Sequence, residues 1–131
     1  MIVDVAGRNS RELITGCAVA DMIIAPHQAS QLDLDTLEEL EIQTLKLKKM
    51  NPKLAVYIYQ AMASTNPTVK ETERSEFIEY VSDLEGFNLL NSIGYFRKVY
   101  RDVIPEGKSV IESFNKAASN EIDQLIDEVF G

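Results

Sequence analysis

The sequence predicts an α/β fold: a three-layer domain with a mostly parallel sheet and helices on both faces. Two observations predict it. Short runs that are apolar on both faces, such as Met22-Ile23-Ile24-Ala25 and Leu54-Ala55-Val56-Tyr57-Ile58-Tyr59, suit strands covered from both sides. Longer stretches with apolar residues at helical spacing separate those runs. Alternation of the two kinds implies βαβ units joined by right-handed crossovers.

Ile2-Val3-Asp4-Val5-Ala6 is rich in β-branched residues, is stopped by Gly7, and reads as the first strand. Residues 9 to 20, with Leu13, Ile14, Cys17, Ala18 and Val19, read as a helix. The run from Met22 to Ala25 is the second strand, ended by Pro26. Residues 34 to 50 form a long helix that places Leu34, Leu37, Leu40 and Leu47 toward one side. Its glutamates (Glu38, Glu39, Glu41) come early and its lysines (Lys46, Lys48, Lys49) late, which complements the helix dipole. Asp35 with Glu38 fits a variant capping box. Leu54 to Tyr59, entered from Asn51-Pro52, is the third strand.

Asn66-Pro67 is a strong N-cap and first-turn pair for a helix carrying Phe77, Val81 and Leu84 and stopped at Gly86. Asn88 to Ile93, between Gly86 and Gly94, is a weaker fourth strand. A short helical piece from Phe96 to Ile104 ends at Pro105-Glu106-Gly107. In the last helix Ala118, Ile122, Leu125, Ile126 and Val129 recur at helical spacing.

The 131 residues suit one domain, 1-131, of ordinary size. With 45% hydrophobic and 26% charged residues, the composition excludes disordered and collagen-like classes. A domain of this length buries about two thirds of its unfolded surface and needs no disulfide or metal staple. Cys17 has no second cysteine to pair with, and no signal-peptide pattern opens the chain. Asp21 interrupts the longest apolar run, so no membrane span is expected. A cytoplasmic location follows from these points.

Thirteen basic against twenty-one acidic residues leave a charge of -8, which disfavours a whole-surface polyanion binder. Two local basic clusters stand out: Lys46, Lys48, Lys49 and Lys53, and Arg97, Lys98 and Arg101. Each also suits a solvated helix face or helix end.

In parallel sheets ligands lie beyond the carboxyl ends of the strands. Those ends are Asp4 to Gly7, Pro26 to Gln31, Gln60 to Ser64 and Ser92 to Arg97. An Asp at the end of an apolar strand, as Asp4 is, suits a magnesium-bound water near a phosphate; it equally suits a helix cap. Gly7 suits either close approach of backbone to a phosphate or a simple turn. Cys17 lies among Leu13, Ile14 and Val19 and reads as a small buried hydrophobe, and a loop hydrogen bond accounts for His27. One histidine and one cysteine cannot make a zinc site. Neither GxxxxGK[ST] nor GxGxxG occurs, so these residues include no phosphate-cradling loop.

In order, these pieces resemble the ParA/MinD-type P-loop partition ATPases, close to the small plasmid ParA-like proteins. Ile2-Val3-Asp4-Val5-Ala6-Gly7-Arg8-Asn9-Ser10 is similar to the family's Walker B strand and turn. Ala20-Asp21-Met22-Ile23-Ile24-Ala25-Pro26 resembles its next strand, and Ser30 to Leu34 its switch-like loop. Arg97, Tyr100, Gly107, Ser109, Val110 and Glu112 match a late R-x-x-Y, then G-x-S-V-x-E pattern.

The resemblance implies a P-loop NTPase-like fold, incomplete at the N-terminus because residue 1 already lies within the Walker B strand. It implies ATP and Mg as cofactors: Asp4 at the magnesium ion's water shell, Gly7 near the γ-phosphate, and Gln60 at the adenine, where the family usually carries Asn. Gly94-Tyr95 replaces the proline-containing turn common there. The expected function is that of a ParA-like protein of plasmid or chromosome segregation, inactive as an ATPase in this form because the phosphate loop is missing. The alternative is a non-catalytic protein-interaction or regulatory module derived from the family, and a distant third is an unrelated α/β enzyme using His27 or Cys17. Expected partners are a second copy of the chain, a centromere-binding protein and, weakly, DNA without sequence preference. An unpaired edge at Ile2 to Ala6 is the expected route of self-association.

Overall fold

In the computed structural model, residues 2–4 and 11–131 are described. Among these residues five helices and three strands follow in the order α1 (Arg11–Val19), β1 (Met22–His27), α2 (Gln31–Met50), β2 (Ala55–Ala63), α3 (Pro67–Ser82), β3 (Phe87–Tyr95), α4 (Val99–Asp102) and α5 (Lys116–Phe130), alternating up to α4. A 3-10 turn at Val110–Glu112 precedes α5. The chain is therefore α/β, with a parallel three-stranded sheet in the order β1-β2-β3.

Local signals account for most boundaries. Asn66 caps α3 by accepting from Thr68 N–H at 3.0 Å, and Pro67 follows at the first helical position. Asn115 caps α5 in the same way through Ala118 N–H at 3.1 Å. Gly86 enters β3 with a φ of 76°, a conformation that favours glycine. A capping box is present at Ser109 and Glu112.

Four expectations are corrected. Ile2, Val3 and Asp4 are exposed and outside any strand, while Val5, Ala6 and Gly7 lie outside the described residues. A lone β-branched segment has no ladder to join unless a neighbour supplies one. Pro26 does not end β1 but lies inside it, which an edge strand tolerates. Helix α2 begins at Gln31, so Asp35 and Glu38 fall within it and form no cap. Gly94 lies inside β3 rather than after it.

The main core joins α1, α2 and α3 to one face of the sheet. Leu13, Cys17, Leu37, Leu47, Val56, Ile58, Phe77 and Val81 are all buried there. Successive residues of β2 point to opposite faces. Gln60 meets Glu73 and Arg74 of α3, whereas Tyr59 lies beside Glu121 of α5. Helices α3 and α5 thus cover opposite faces. A second small core, Val103, Val110 and Ala118, joins α4 and the 3-10 turn to α5.

Candidate functional site at the carboxyl ends of the strands

The end of β2 and the end of β3 meet beneath α3 and α5. Register slips there twice. Ile58 pairs with Leu89 but Gln60 with Ile93, so β3 bulges over Leu90 to Ser92; a second shift lies between Gln60 and Ala63, where Met62 adopts a φ of 52°. Each bulge frees backbone groups that need partners.

Side chains from both faces supply them. Arg74 donates to the Leu90 carbonyl at 2.8 Å and to Gln60 Oε1 at 3.0 Å. Gln60 Nε2 donates to Glu73 Oε1 at 3.3 Å, and the same oxygen accepts from Ser64 N–H at 3.0 Å. From α5, Glu128 accepts from the Asn91 and Ser92 amides at 2.7 and 2.8 Å. Burial pushes the Arg74 guanidinium down, with Tyr95 and Glu128 acting against it.

Two turns nearer the start of α5, Glu121 gathers a second cluster. It accepts from Arg97 Nε at 2.7 Å and from Tyr100 Oη at 2.8 Å, and is itself buried. Burial first, then the Glu121 hydrogen bond and charge, raise the Tyr100 phenol. Burial and Glu121 push Tyr59 up to about 12. Three cations stack on exposed or half-exposed rings: Lys70 and Arg97 at 4.7 and 5.5 Å from the Tyr95 centroid, and Arg101 at 6.0 Å from Phe96. A shallow recess of about 330 Å³ lies between Lys70, Glu71, Arg74, Ser75, Ile93 and Tyr95. Lys70, Lys98 and Arg101 make no ion pair among the described residues, so their charge faces solvent.

The candidates drawn from the sequence stand in different surroundings where they are described. Asp4 is exposed in irregular chain, and Gly7 lies outside the described residues. Among the described residues no group of three or more His, Cys, Asp or Glu could hold a metal. Gln60 is 1% exposed, and both ends of its amide are engaged by α3. An adenine would have to displace those contacts. Cys17 is buried, which raises its thiol, and His27 Nδ1 lies 3.4 Å from the Ala25 carbonyl. Twenty-five positions separate Lys70 from Tyr95, so no local pattern marks them as a pair, whereas Arg97, Lys98 and Arg101 form a cluster in the sequence itself.

No family model matches this chain, and no curated protein matches it. Among the described residues no helix is long and apolar enough to cross a membrane.

Proposed function

We propose that the chain is a ParA-like partition module that engages DNA phosphates through the basic, aromatic corner at the end of β3, working with a centromere-binding protein. The observation that carries this reading is the gathering of Lys70 and Arg97 at Tyr95 and of Arg101 at Phe96, with Lys98 next to them in the chain, in a protein whose net charge is -8. The corner lies where open α/β sheets receive ligands. The order of the sequence pieces resembling that family supports the partition role. Contacts to phosphate displace counterions, so binding falls steeply with salt and carries no sequence preference.

Fluorescence anisotropy with a labelled random-sequence duplex, at low and near-physiological salt, tests the reading. We expect weak binding with a log–log salt slope of about -3, as three uncompensated cations would give. Replacing Lys70, Lys98 and Arg101 by Gln should abolish it. Equal binding by that variant, or tight sequence-specific binding, overturns the assignment.

On this reading the 131 residues by themselves neither bind Mg-ATP tightly nor hydrolyse it. Positioning of phosphates in this chemistry needs a phosphate loop and its lysine, and these residues include none. Calorimetry with Mg-ATP and a phosphate-release assay check this; steady turnover abolished by Asp4→Ala would contradict it. A second reading, a non-catalytic interaction module of the same descent, is favoured by the edge of β1, which no strand pairs with among the described residues.

A further inference from the structure

The two outer edges of the sheet differ. On β3, Glu128 accepts from the Asn91 and Ser92 amides and Glu121 accepts from Tyr95 N–H at 3.4 Å. Helix α5 therefore closes the carboxyl-terminal half of that edge, and the bulge there breaks its regularity. Among the described residues β1 has neither protection.

Ala55 N–H donates to the Asp21 carbonyl at 3.3 Å. In a parallel strand the backbone groups of alternate residues face the same neighbour. Those of Asp21, Ile23, Ala25 and His27 face β2, so Met22 and Ile24 turn an amide and a carbonyl outward. Pro26 turns only a carbonyl outward. Its missing N–H falls on the side where the β1–β2 ladder does not need it.

Among the described residues no strand pairs with this edge. The run Met22–His27 contains no lysine or acidic residue to blunt it, and Pro26 near its end is its one interruption. Ile24 is 37% exposed, and Ile14 and Val19 of the preceding helix are exposed as well.

We propose that β1 pairs antiparallel with β1 of a second copy, about a two-fold axis at Ile24, joining three strands from each copy into one sheet. This rests on the open edge and not on the partition reading; it requires neither nucleotide nor DNA. With Ile24 opposite Ile24 of the second copy, the two residues exchange both backbone hydrogen bonds. At each end Met22 N–H meets the Pro26 carbonyl of the second copy.

The same register seats Asp21 against His27 of the second copy at both ends, a carboxylate against an imidazole. A register slipped by one hydrogen-bonded position seats Asp21 against Ala25 and loses that complementarity, so charge selects between the two. Pairing about a two-fold uses the same edge of both copies, and α5 caps the carboxyl-terminal half of the other edge, so the interface closes at a dimer rather than growing into a filament.

Sedimentation velocity on the 131-residue chain over a concentration series tests the proposal. The expected result is a monomer–dimer equilibrium with no larger species. Ile24→Pro removes the outward amide and the Ile side chain while leaving the β1–β2 ladder its donors, and should weaken association at least tenfold with the circular dichroism unchanged. D21K and H27D should each weaken it about fivefold, and the double variant should restore it. Protection of the Ile24 amide from exchange should rise with protein concentration, a measurement that needs no variant. A monomer at all concentrations, concentration-independent exchange at Ile24, or a dimer indifferent to Ile24→Pro overturns the interface. A dimer lost in Ile24→Pro but indifferent to both charge variants overturns the register.

Discussion

Arg74 Nη1 lies 3.0 Å from Gln60 Oε1, and this contact joins the buried end of β2 to a guanidinium whose other amino group holds the Leu90 carbonyl at 2.8 Å. One side chain thereby bridges two strands where their register slips. Arg serves here because its planar fork reaches two separate acceptors at once.

Removing that fork leaves two buried acceptors without a donor. Arg74→Met should cost about 2–3 kcal/mol in urea unfolding. Arg74→Lys should recover less than half, since one ammonium cannot serve both positions. A Met variant within about 0.5 kcal/mol of the parent would show that the bulge finds other partners.

Gly94 accommodates a ring, not a turn. A Cβ at this position would stand 2.5 Å from Tyr59 Oη and 3.1 Å from Cζ. Gly94→Ala should therefore destabilise by about 1–3 kcal/mol through overpacking. Tyr59→Phe in the same chain should recover part of it by deleting the nearest atom, and a double-mutant cycle reads that coupling directly. Strict additivity would place the cost elsewhere than on the phenol.

Burial would raise the Glu128 carboxyl, but the Ser92 hydroxyl, the Asn91 and Ser92 amides and the Arg74 charge together hold it below its ordinary value of 4.5. A carboxylate depressed in the folded state contributes stability that is present above its unfolded value and lost as pH falls through the folded one. Thermal stability should therefore decline on acidification below about pH 4.5. Glu128→Gln should flatten that decline and cost about 1 kcal/mol at neutral pH, a modest figure because the side chain is largely solvated. Superimposable acid profiles for the two chains would refute the assignment.

Two phenylalanines separate core from surface. Phe77 is 1% exposed between α3 and the sheet, whereas Phe114 is fully exposed before α5. Phe77→Ala should cost about 3–5 kcal/mol. Phe114→Ala should stay within about 0.5 kcal/mol. Denaturant midpoints at equal slope make the comparison.

Much of the fold is legible in the sequence. The apolar runs at Met22 and Leu54, the Asn66-Pro67 cap and the helical spacing of Ala118, Ile122 and Leu125 each lead to an observed element. These signals work because strand period, helix period and capping are set within a few residues. Cys17 as a buried hydrophobe was readable for the same reason. The β-branched run at Ile2 misled because a strand exists only with a partner, and partners are not written locally.

By itself, then, the sequence determined the α/β alternation, the parallel direction of β1, β2 and β3, and the apolar faces that meet at Phe77, Val56 and Ile58. Only the tertiary structure decided which strand edges are capped, where β3 bulges, and that Lys70 meets Tyr95 beside Arg97. The physical reason is range. Periodicity and capping act between near neighbours, whereas a bulge's freed amides and a cation's ring are satisfied by whichever distant side chain the packing of α3 and α5 brings within about 3 to 6 Å.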